Sequence, residues 1–344
     1  GQSIPMKFLV TGHTGFKGAW LSLLLMQRGH EVVGLSLDPL PGSLFERAAI
    51  EGLMSRDLRL DIRNRDETVS AIQELAPDVV LHLAAQPLVL ESYKNPRFTF
   101  ETNVNGTLNV LEGISTTKSV KASVVITTDK VYRNTSRIEG YREDEPLGGD
   151  DPYSSSKAMA DILTQSWVKS FPGSPIAIAR AGNVIGGGDV SPNRLIPDVI
   201  AASEAGQPVV LRYPEAVRPW QHVLDCLNGY LCLVDALLEG RGLGAWNFGP
   251  GPESFVTVDK VVEQTQTYLG QSTKWAREAS ELHEAGLLAL NSSKAEAGLA
   301  WSNILKYPES IKWTTDWYEE VAQVGNVLEA TRNQIREFES RRTS

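Results

Sequence analysis

From Met6 onward, short apolar runs of strand type alternate with longer amphipathic stretches. Strand candidates are KFLVTG (7–12), EVVGLSL (31–37), DLRL (57–60), DVVLHLA (78–84), SVVITT (123–128) and PIAIARA (175–181), with helical stretches such as 18–29 and 99–114 between them. Near-continuous apolar strands separated by crossover helices predict a parallel sheet covered on both faces. Six strands make a doubly wound α/β sheet of Rossmann type the economical solution, with right-handed crossovers fixing its hand. After about Gly182 the rhythm loosens into Gly/Pro-rich loops and isolated helices, which suits a smaller mixed α/β C-terminal lobe. Two later segments, LRYPEAVRPWQHVLDCLNGYL and GAWNFGPG, are candidates to return to the sheet.

The first strand runs into Gly12-His-Thr-Gly15-Phe16-Lys-Gly18, and an amphipathic helix follows at once. A GxxGxxG turn in that setting offers backbone amides at a helix N-terminus to a pyrophosphate. The strand before and the helix after make the signal specific for a dinucleotide. Asp38, just past the second strand, is placed to accept from an adenosine ribose and to repel a 2′-phosphate, which selects NAD over NADP. Its plain alternative is the start of the turn before Pro39. Asp61 and Ile62 follow the third strand and are expected near the adenine. Leu83, Ala84, Ala85 and Gln86 close the fourth strand, where small residues let a cofactor lie flat or simply pack. The division expected is therefore an NAD-binding domain over 6–182, with return segments near 219–255, and a mainly substrate-binding lobe over 183–344, interleaved with it.

Composition narrows the class. Over 344 residues, 42% hydrophobic and 22% charged content is that of a globular chain with a sizeable core. A formal net charge of -9 argues against a nucleic-acid partner. No apolar run is long enough for a membrane span, and no metal-ligand spacing stands out. Cys226 and Cys232 read as buried reduced thiols rather than a disulfide framework. Residues 1–5, GQSIP, look like an expression scar, and without a signal-peptide pattern the expected location is the cytoplasm.

Tyr153-Ser-Ser-Ser-Lys157 puts a phenol and an ammonium on one helix face. A phenol near pKa 10 is a poor base at neutral pH, so a fixed cation beside it is expected to lower its pKa and to hold a nicotinamide ribose. Upstream, the strand end reads Thr127-Thr128-Asp129-Lys130-Val131-Tyr132. Lys130 reads either as a base or as a salt-bridging lysine near Asp129 and Glu143.

On these residues the chain resembles the extended short-chain dehydrogenase/reductases, and within them the sugar-nucleotide 4,6-dehydratases. Most of that group carry Thr-Asp-Glu; Thr128-Asp129-Lys130 is similar to the branch acting on CDP-glucose. The blocks GHTGFKG, LHLAAQPLV, TNVNGTLNVLE, TTDKVY, PLGG.DPYSSSKA, RLIPD and RPWQHV carry the resemblance over nearly the whole chain from Met6. It implies NAD as catalytic cofactor, with Thr102 and Thr127 among its contacts, and a nucleotide-sugar substrate turned into a 4-keto-6-deoxy sugar for deoxysugar biosynthesis, as in lipopolysaccharide O-antigen. Tyr153 would take the 4-hydroxyl proton while hydride leaves C4. Thr128 would orient the sugar, Lys130 would remove the C5 proton, Asp129 would protonate the departing 6-hydroxyl, and hydride would return to C6. Gln86, Asn183, Arg194, Arg218 and His283 are the implied substrate contacts, the arginines through their fork of donors. From sequence, either arginine could instead form an ordinary ion pair. A homodimer or homotetramer is implied, through helices around 98–115 and 153–170.

Leu90, Val190, Asn193 and Asp150 depart from the family pattern near substrate loops. They bear on sugar and base preference more than on mechanism. Two other readings share the fold: a nucleotide-sugar 4-epimerase, and a protein that binds NAD without turnover.

Overall fold

Seven apolar segments pair in parallel to form the central sheet: β1 (Lys7–Thr11), β2 (Glu31–Ser36), β3 (Arg56–Arg59), β4 (Val79–His82), β5 (Ala122–Ile126), β6 (Ile176–Ala181) and β7 (Gly244–Phe248). The order is β3-β2-β1-β4-β5-β6-β7, so the chain winds outward in both directions from the boundary between β1 and β4. In such a sheet the crevice at the strand ends beside that switch point is the binding position. The computed structural model describes residues 4–192, 194–272, 275–280 and 286–343.

The central strands β4, β5 and β6 are buried along their whole length, whereas the edge strand β3 reads RDLR and stays partly exposed. Helices α1 (Phe16–Gln27), α2 (Arg65–Leu75), α3 (Gly106–Ser115), α4 (Pro152–Ser170), α5 (Leu195–Glu204), α6 (Val223–Leu238), α7 (Val258–Tyr268), α8 (Glu309–Val324) and α9 (Val327–Arg342) follow in chain order, among shorter turns. On one face α1 and α6 bury Trp20, Leu24, Leu227 and Tyr230, roofed by Trp317 and Phe338 of α8 and α9. On the other, Ile72 of α2 and Val110, Leu111 and Ile114 of α3 pack on Val80 and Val125, with Leu163 and Trp167 of α4. Burial on this scale, about 25 cal/mol per Å² of apolar surface, is the main force holding the layers. The lobe has its own core, where Ile196 and Val199 of α5 meet Val261 and Val262 of α7.

Two sequence expectations need correction. The stretch 99–114 is not one uniform α-helix, because Glu101–Asn105 forms a π turn before α3 begins. The segment LRYPEAVRPWQHV does not rejoin the central sheet. Val217–Pro219 pairs with Phe255–Thr257 and Gln221–His222 with Val184–Ile185, in separate two-stranded ribbons. Only α6 and β7 return, β7 as the outer neighbour of β6. Cys226 is buried, Cys232 half-buried, and both are free.

One buried charged pair ties the sheet to α4. Arg180 of β6 and Asp161 of α4 are 2% and 0% exposed, joined by two bonds: Nε donates to Oδ2 at 2.9 Å and Nη2 to Oδ1 at 2.8 Å. The Thr127 hydroxyl donates to Asp161 Oδ2 at 2.9 Å. Arg180 Nη1 donates to Tyr132 Oη and to the Glu143 carbonyl, both at 2.9 Å. Tyr132 in turn donates to Asn247 of β7 at 2.6 Å.

Removing one member of such a pair strands its partner as a buried charge. Asp161→Ala is therefore expected to cost about 3–5 kcal/mol, read as a large drop in melting temperature. An unchanged melting temperature would show the pair to be dispensable.

Candidate active site

The glycine turn is built for close approach. Gly12 has φ +77°, and a Cβ there would lie 2.8 Å from the Ala84 backbone. A Cβ on Gly18 would lie 2.1 Å from the Gly12 carbonyl, so glycine is required for α1 to start against β1. Gly15 caps α1 in extended backbone with no side-chain cap, which leaves first-turn amides open to an anion. The Thr14 hydroxyl donates to the Leu37 carbonyl at 2.9 Å and fixes the turn to the end of β2. Phe16 is half-buried against the core. This cradle fits a dinucleotide pyrophosphate: a side chain at Gly12 or Gly18 would fill it.

Around the cradle, several expected contacts are already committed to the protein. The Asp38 carboxylate is 84% exposed and receives Arg59 Nη1 at 2.9 Å. Asp61 pairs with Arg63 at 2.8 Å; burial works against its charge, but Arg63 outweighs it and holds the carboxyl below its ordinary range. Ile62 is buried beside Gly106, and its carbonyl accepts from Asn109 at 2.7 Å. The Gln86 side chain donates to the Leu88 carbonyl and Thr99 hydroxyl, each at 2.9 Å, and accepts from the Leu88 amide at 2.8 Å. The Gln86 amide therefore braces its own loop, with both N–H donors used inside the protein. Thr127, expected at the cofactor, likewise spends its hydroxyl proton on Asp161. Thr102 keeps a buried hydroxyl without a partner. Leu83, Ala84 and Ala85 are half-buried along the end of β4. Beneath them His82 bridges Thr11 at 2.6 Å and Thr107 at 3.0 Å, kept neutral with its pKa down at about 3, by burial first and then by Lys157.

The residues expected to carry the chemistry meet where β5 ends. Thr128 caps a single 3₁₀ turn, Asp129–Val131, and its oxygen accepts from the Lys130 amide at 3.3 Å while its hydroxyl donates to Asp129 Oδ1 at 3.0 Å. Asp129 fits because Gly182 leaves room: a Cβ there would lie 2.7 Å from Oδ2. Lys130 Nζ stands 3.8 Å from Asp129 Oδ1. Glu143 is not its partner, and accepts from the Asn247 amide at 3.0 Å instead. Asp151 caps α4 through the Ser154 amide at 2.9 Å and Pro152 occupies the first turn, which sets Tyr153 and Lys157 on the inner face.

The electrostatics differ from the expectation at Tyr153. Burial pushes the phenol up; the opposing pull comes from Lys130 and from a hydrogen bond with Thr128. Lys157 is buried, donates to the Ile126 carbonyl at 3.3 Å, and has its own pKa lowered to about 8, by burial first and then by Lys17.

Asp129 and Lys130 open onto a cavity of about 930 Å³ between the sheet and the lobe, large enough for a nucleotide sugar. Asn183, Arg194 and Arg218 line it from the lobe side. Arg194 pairs with Asp189 at 3.3 Å, and Arg218 Nη1 donates to the Val217 carbonyl at 3.0 Å. His283 and Asn193 lie outside the described residues.

The profile of the NAD dependent epimerase/dehydratase family matches residues 8–249. The chain belongs to that family. Its members' cofactor is NAD, and the cradle fits the pyrophosphate of such a dinucleotide. CDP-glucose 4,6-dehydratase of Salmonella typhimurium is 40% identical over 349 residues, covering 98% of this chain and 97% of that one. The UDP-glucose 4-epimerase of Pisum sativum is 27% identical over 73% of this chain and 78% of its own. Among solved structures, dTDP-glucose 4,6-dehydratase of Bacillus anthracis in complex with NAD superposes with TM-score 0.79 at 26% identity, over 92% of this chain and 98% of that one.

Several groups of this family site escape sequence reasoning. The signal for Arg180 was a lone charge inside the apolar strand PIAIARA. Nothing local marked Asp161, Gly182 or the Lys17–Tyr230 contact, since each depends on a partner far along the chain.

Because Lys157 loses its proton near 8, a cofactor bond donated by its ammonium weakens as pH rises through that value. NAD affinity measured by calorimetry is expected to fall between roughly pH 7 and 9, and in Lys157→Met to be weaker but flat. Wild-type affinity that stays constant across that window would remove Lys157 from cofactor contact.

Proposed function

We propose that this enzyme dehydrates CDP-D-glucose to CDP-4-keto-6-deoxy-D-glucose. The observation that carries the reading is the placement of Thr128, Asp129 and Lys130 on one turn beside Tyr153, at the edge of the cavity. When bound, NAD accepts hydride from sugar C4 and later returns it to C6. Tyr153 takes the proton of the 4-hydroxyl, which the Thr128 hydroxyl helps to orient. The 4-ketone acidifies C5, and Lys130, as the neutral amine, removes that proton. Asp129, as the acid, protonates the 6-hydroxyl, which departs as water. Lys130 returns its proton to C5 as C6 is reduced.

The balance leaves Tyr153 with one proton more and Asp129 with one fewer. The Thr128 hydroxyl, bonded to both, lies on the shortest route for the reset. Arg194 and Arg218 hold the diphosphate, and Asn183 a phosphate or the sugar. Support for the CDP-linked substrate comes from the Thr-Asp-Lys tripeptide and from the Salmonella relative.

Epimerisation at C4 is the second reading, favoured by relatives such as the pea enzyme. It needs no acid for a leaving group at C6, and Asp129 and Lys130 would then have no task. Exposed Met159 and Ile162 on α4, 45% and 54% accessible, suit a homodimer or homotetramer through that helix, in the cytoplasm where sugar nucleotides are made.

Incubation with CDP-, dTDP-, GDP- and UDP-glucose and no added reductant is expected to give loss of one water, read by mass spectrometry, with CDP-glucose fastest. An isomer of unchanged mass would establish the epimerase instead, and NAD binding without turnover on any of the four a non-catalytic protein. Lys130→Ala is expected to lower dehydration by on the order of 10²-fold or more while still binding NAD. Undiminished dehydration would remove Lys130 from the base role.

A further inference from the structure

Gly182 is a glycine for which the backbone gives no reason. Its φ lies outside the left-handed region, so alanine could take the same conformation. The reason is steric, and it is confined to one group. The three atoms nearest to a Cβ built on Gly182 all belong to the Asp129 carboxyl: Oδ2 at 2.7 Å, Cγ at 3.2 Å and Oδ1 at 3.8 Å. With a methyl there, the carboxyl and not the backbone would have to give way.

The sheet dictates this meeting. β5 and β6 run side by side, with Ile126 opposite Ala179, and the Thr127 amide donates to the Ala179 carbonyl at 2.8 Å. Asp129 and Gly182 lie equally far beyond that pair, each just past its strand. Asp129 lines the cavity, and so does Asn183, the residue after Gly182. The two oxygens of the carboxyl are not equivalent. Oδ1 accepts from the Thr128 hydroxyl at 3.0 Å and stands 3.8 Å from Lys130 Nζ, whereas Oδ2 is the one nearest to Gly182.

We propose that Gly182 is a positioning residue for the acid step: by withholding a Cβ it gives the Asp129 carboxyl the space from which it reaches the departing 6-hydroxyl. This inference rests on the dehydration reading above and deepens it. In that step the Asp129 O–H bond breaks and its proton goes to O6. The C6–O6 bond breaks with its electron pair on the departing water. The pair of the C5–H bond, whose proton goes to Lys130, becomes the C5–C6 double bond. Recharging through Thr128 delivers a proton to Oδ1, so the carboxyl must turn about its Cβ–Cγ bond to present that proton on the other side. A methyl on Gly182 obstructs the turn as well as the aim. Oxidation at C4 uses Tyr153 and the cofactor and makes no use of Asp129, so only the second half of the cycle is exposed to this residue.

A methyl that merely loosened the site would slow both halves alike, and two substrates separate the cases. CDP-D-glucose reports the whole reaction. CDP-D-xylose, the same sugar without C6, can only be oxidised at C4, read in a single turnover as absorbance of the reduced nicotinamide. In Gly182→Ala, kcat for dehydration is expected to fall by on the order of a hundredfold, with KM nearly unchanged and oxidation of CDP-D-xylose near the wild-type rate. Asp129→Asn is expected to show the same pattern, and adding Gly182→Ala to it to cost little more, because both act on one group. Undiminished dehydration, equal losses on the two substrates, or a double variant in which the losses multiply would overturn the proposal. Should Gly182→Ala fail to fold, combining it with Asp129→Ala must restore the fold, since the carboxyl supplies the close contacts; a double variant that stays unfolded would overturn the proposal too. A wild-type enzyme that dehydrates none of the four sugar nucleotides removes the functional reading and this inference with it. An active wild type matched by Gly182→Ala removes this inference alone.

Discussion

The Arg180–Asp161 pair is the constraint on which the reacting end of this molecule depends. Two charges with almost no exposure are tolerable only because nearly every donor and acceptor between them is satisfied, by Thr127, Tyr132, Gln165 and the Glu143 carbonyl. Those partners come from the residue after β5, the end of the 3₁₀ turn, the loop beyond it and α4. Tyr132, which ends that turn, is fixed on both sides, by Arg180 and by Asn247 of β7. The turn holding Asp129 and Lys130 thus hangs between two anchors, Thr127 before it and Tyr132 after it. The helix carrying Tyr153 and Lys157 is pinned through Asp161 to the same network. Groups from two separate segments are thereby held in register by one buried ion pair.

The charges nearer the cavity follow a different rule. Lys157 is buried and loses part of its affinity for a proton, whereas Lys130 keeps about a third of its side chain in contact with the cavity. Burial of Tyr153 favours the neutral phenol in the protein alone, and the nearest relief is Lys130 with Thr128. The charge of Lys130 and the hydrogen bond with Thr128 thus work against burial at the phenol.

The sheet, the glycine turn and the YxxxK face were legible from sequence because each is local. Strands buried on both faces must be continuously apolar, and a turn between β1 and α1 must spare a Cβ at Gly12 and Gly18. What stayed hidden was pairwise and distant. Gln86 looked like a ligand from its position after β4, yet its amide closes hydrogen bonds to Leu88 and Thr99. Asp38 stood at the expected spacing, but the next strand brings Arg59 to it. The helix expected at 99–114 was interrupted by a π turn that periodicity does not encode. The partners of Gln86 and Asp38 are delivered by the fold, and the pattern of polarity along the chain carries no record of partners.

The same logic explains why fold alone does not choose the reaction. UDP-glucose 4-epimerase from Stenotrophomonas maltophila superposes with TM-score 0.81 at 23% identity, as well as the Bacillus anthracis dehydratase does. A Rossmann sheet by itself does not specify which reaction the site performs. In the proposed reading the distinction lies with the residues of a single 3₁₀ turn, where Asp129 and Lys130 stand 3.8 Å apart. Gly182, by leaving the carboxylate its space, belongs to that device as much as the charged residues do. A scaffold of seven strands is shared by both reactions, and in the proposed reading three consecutive side chains, Thr128, Asp129 and Lys130, decide whether a second bond, at C6, is brought within reach of an acid.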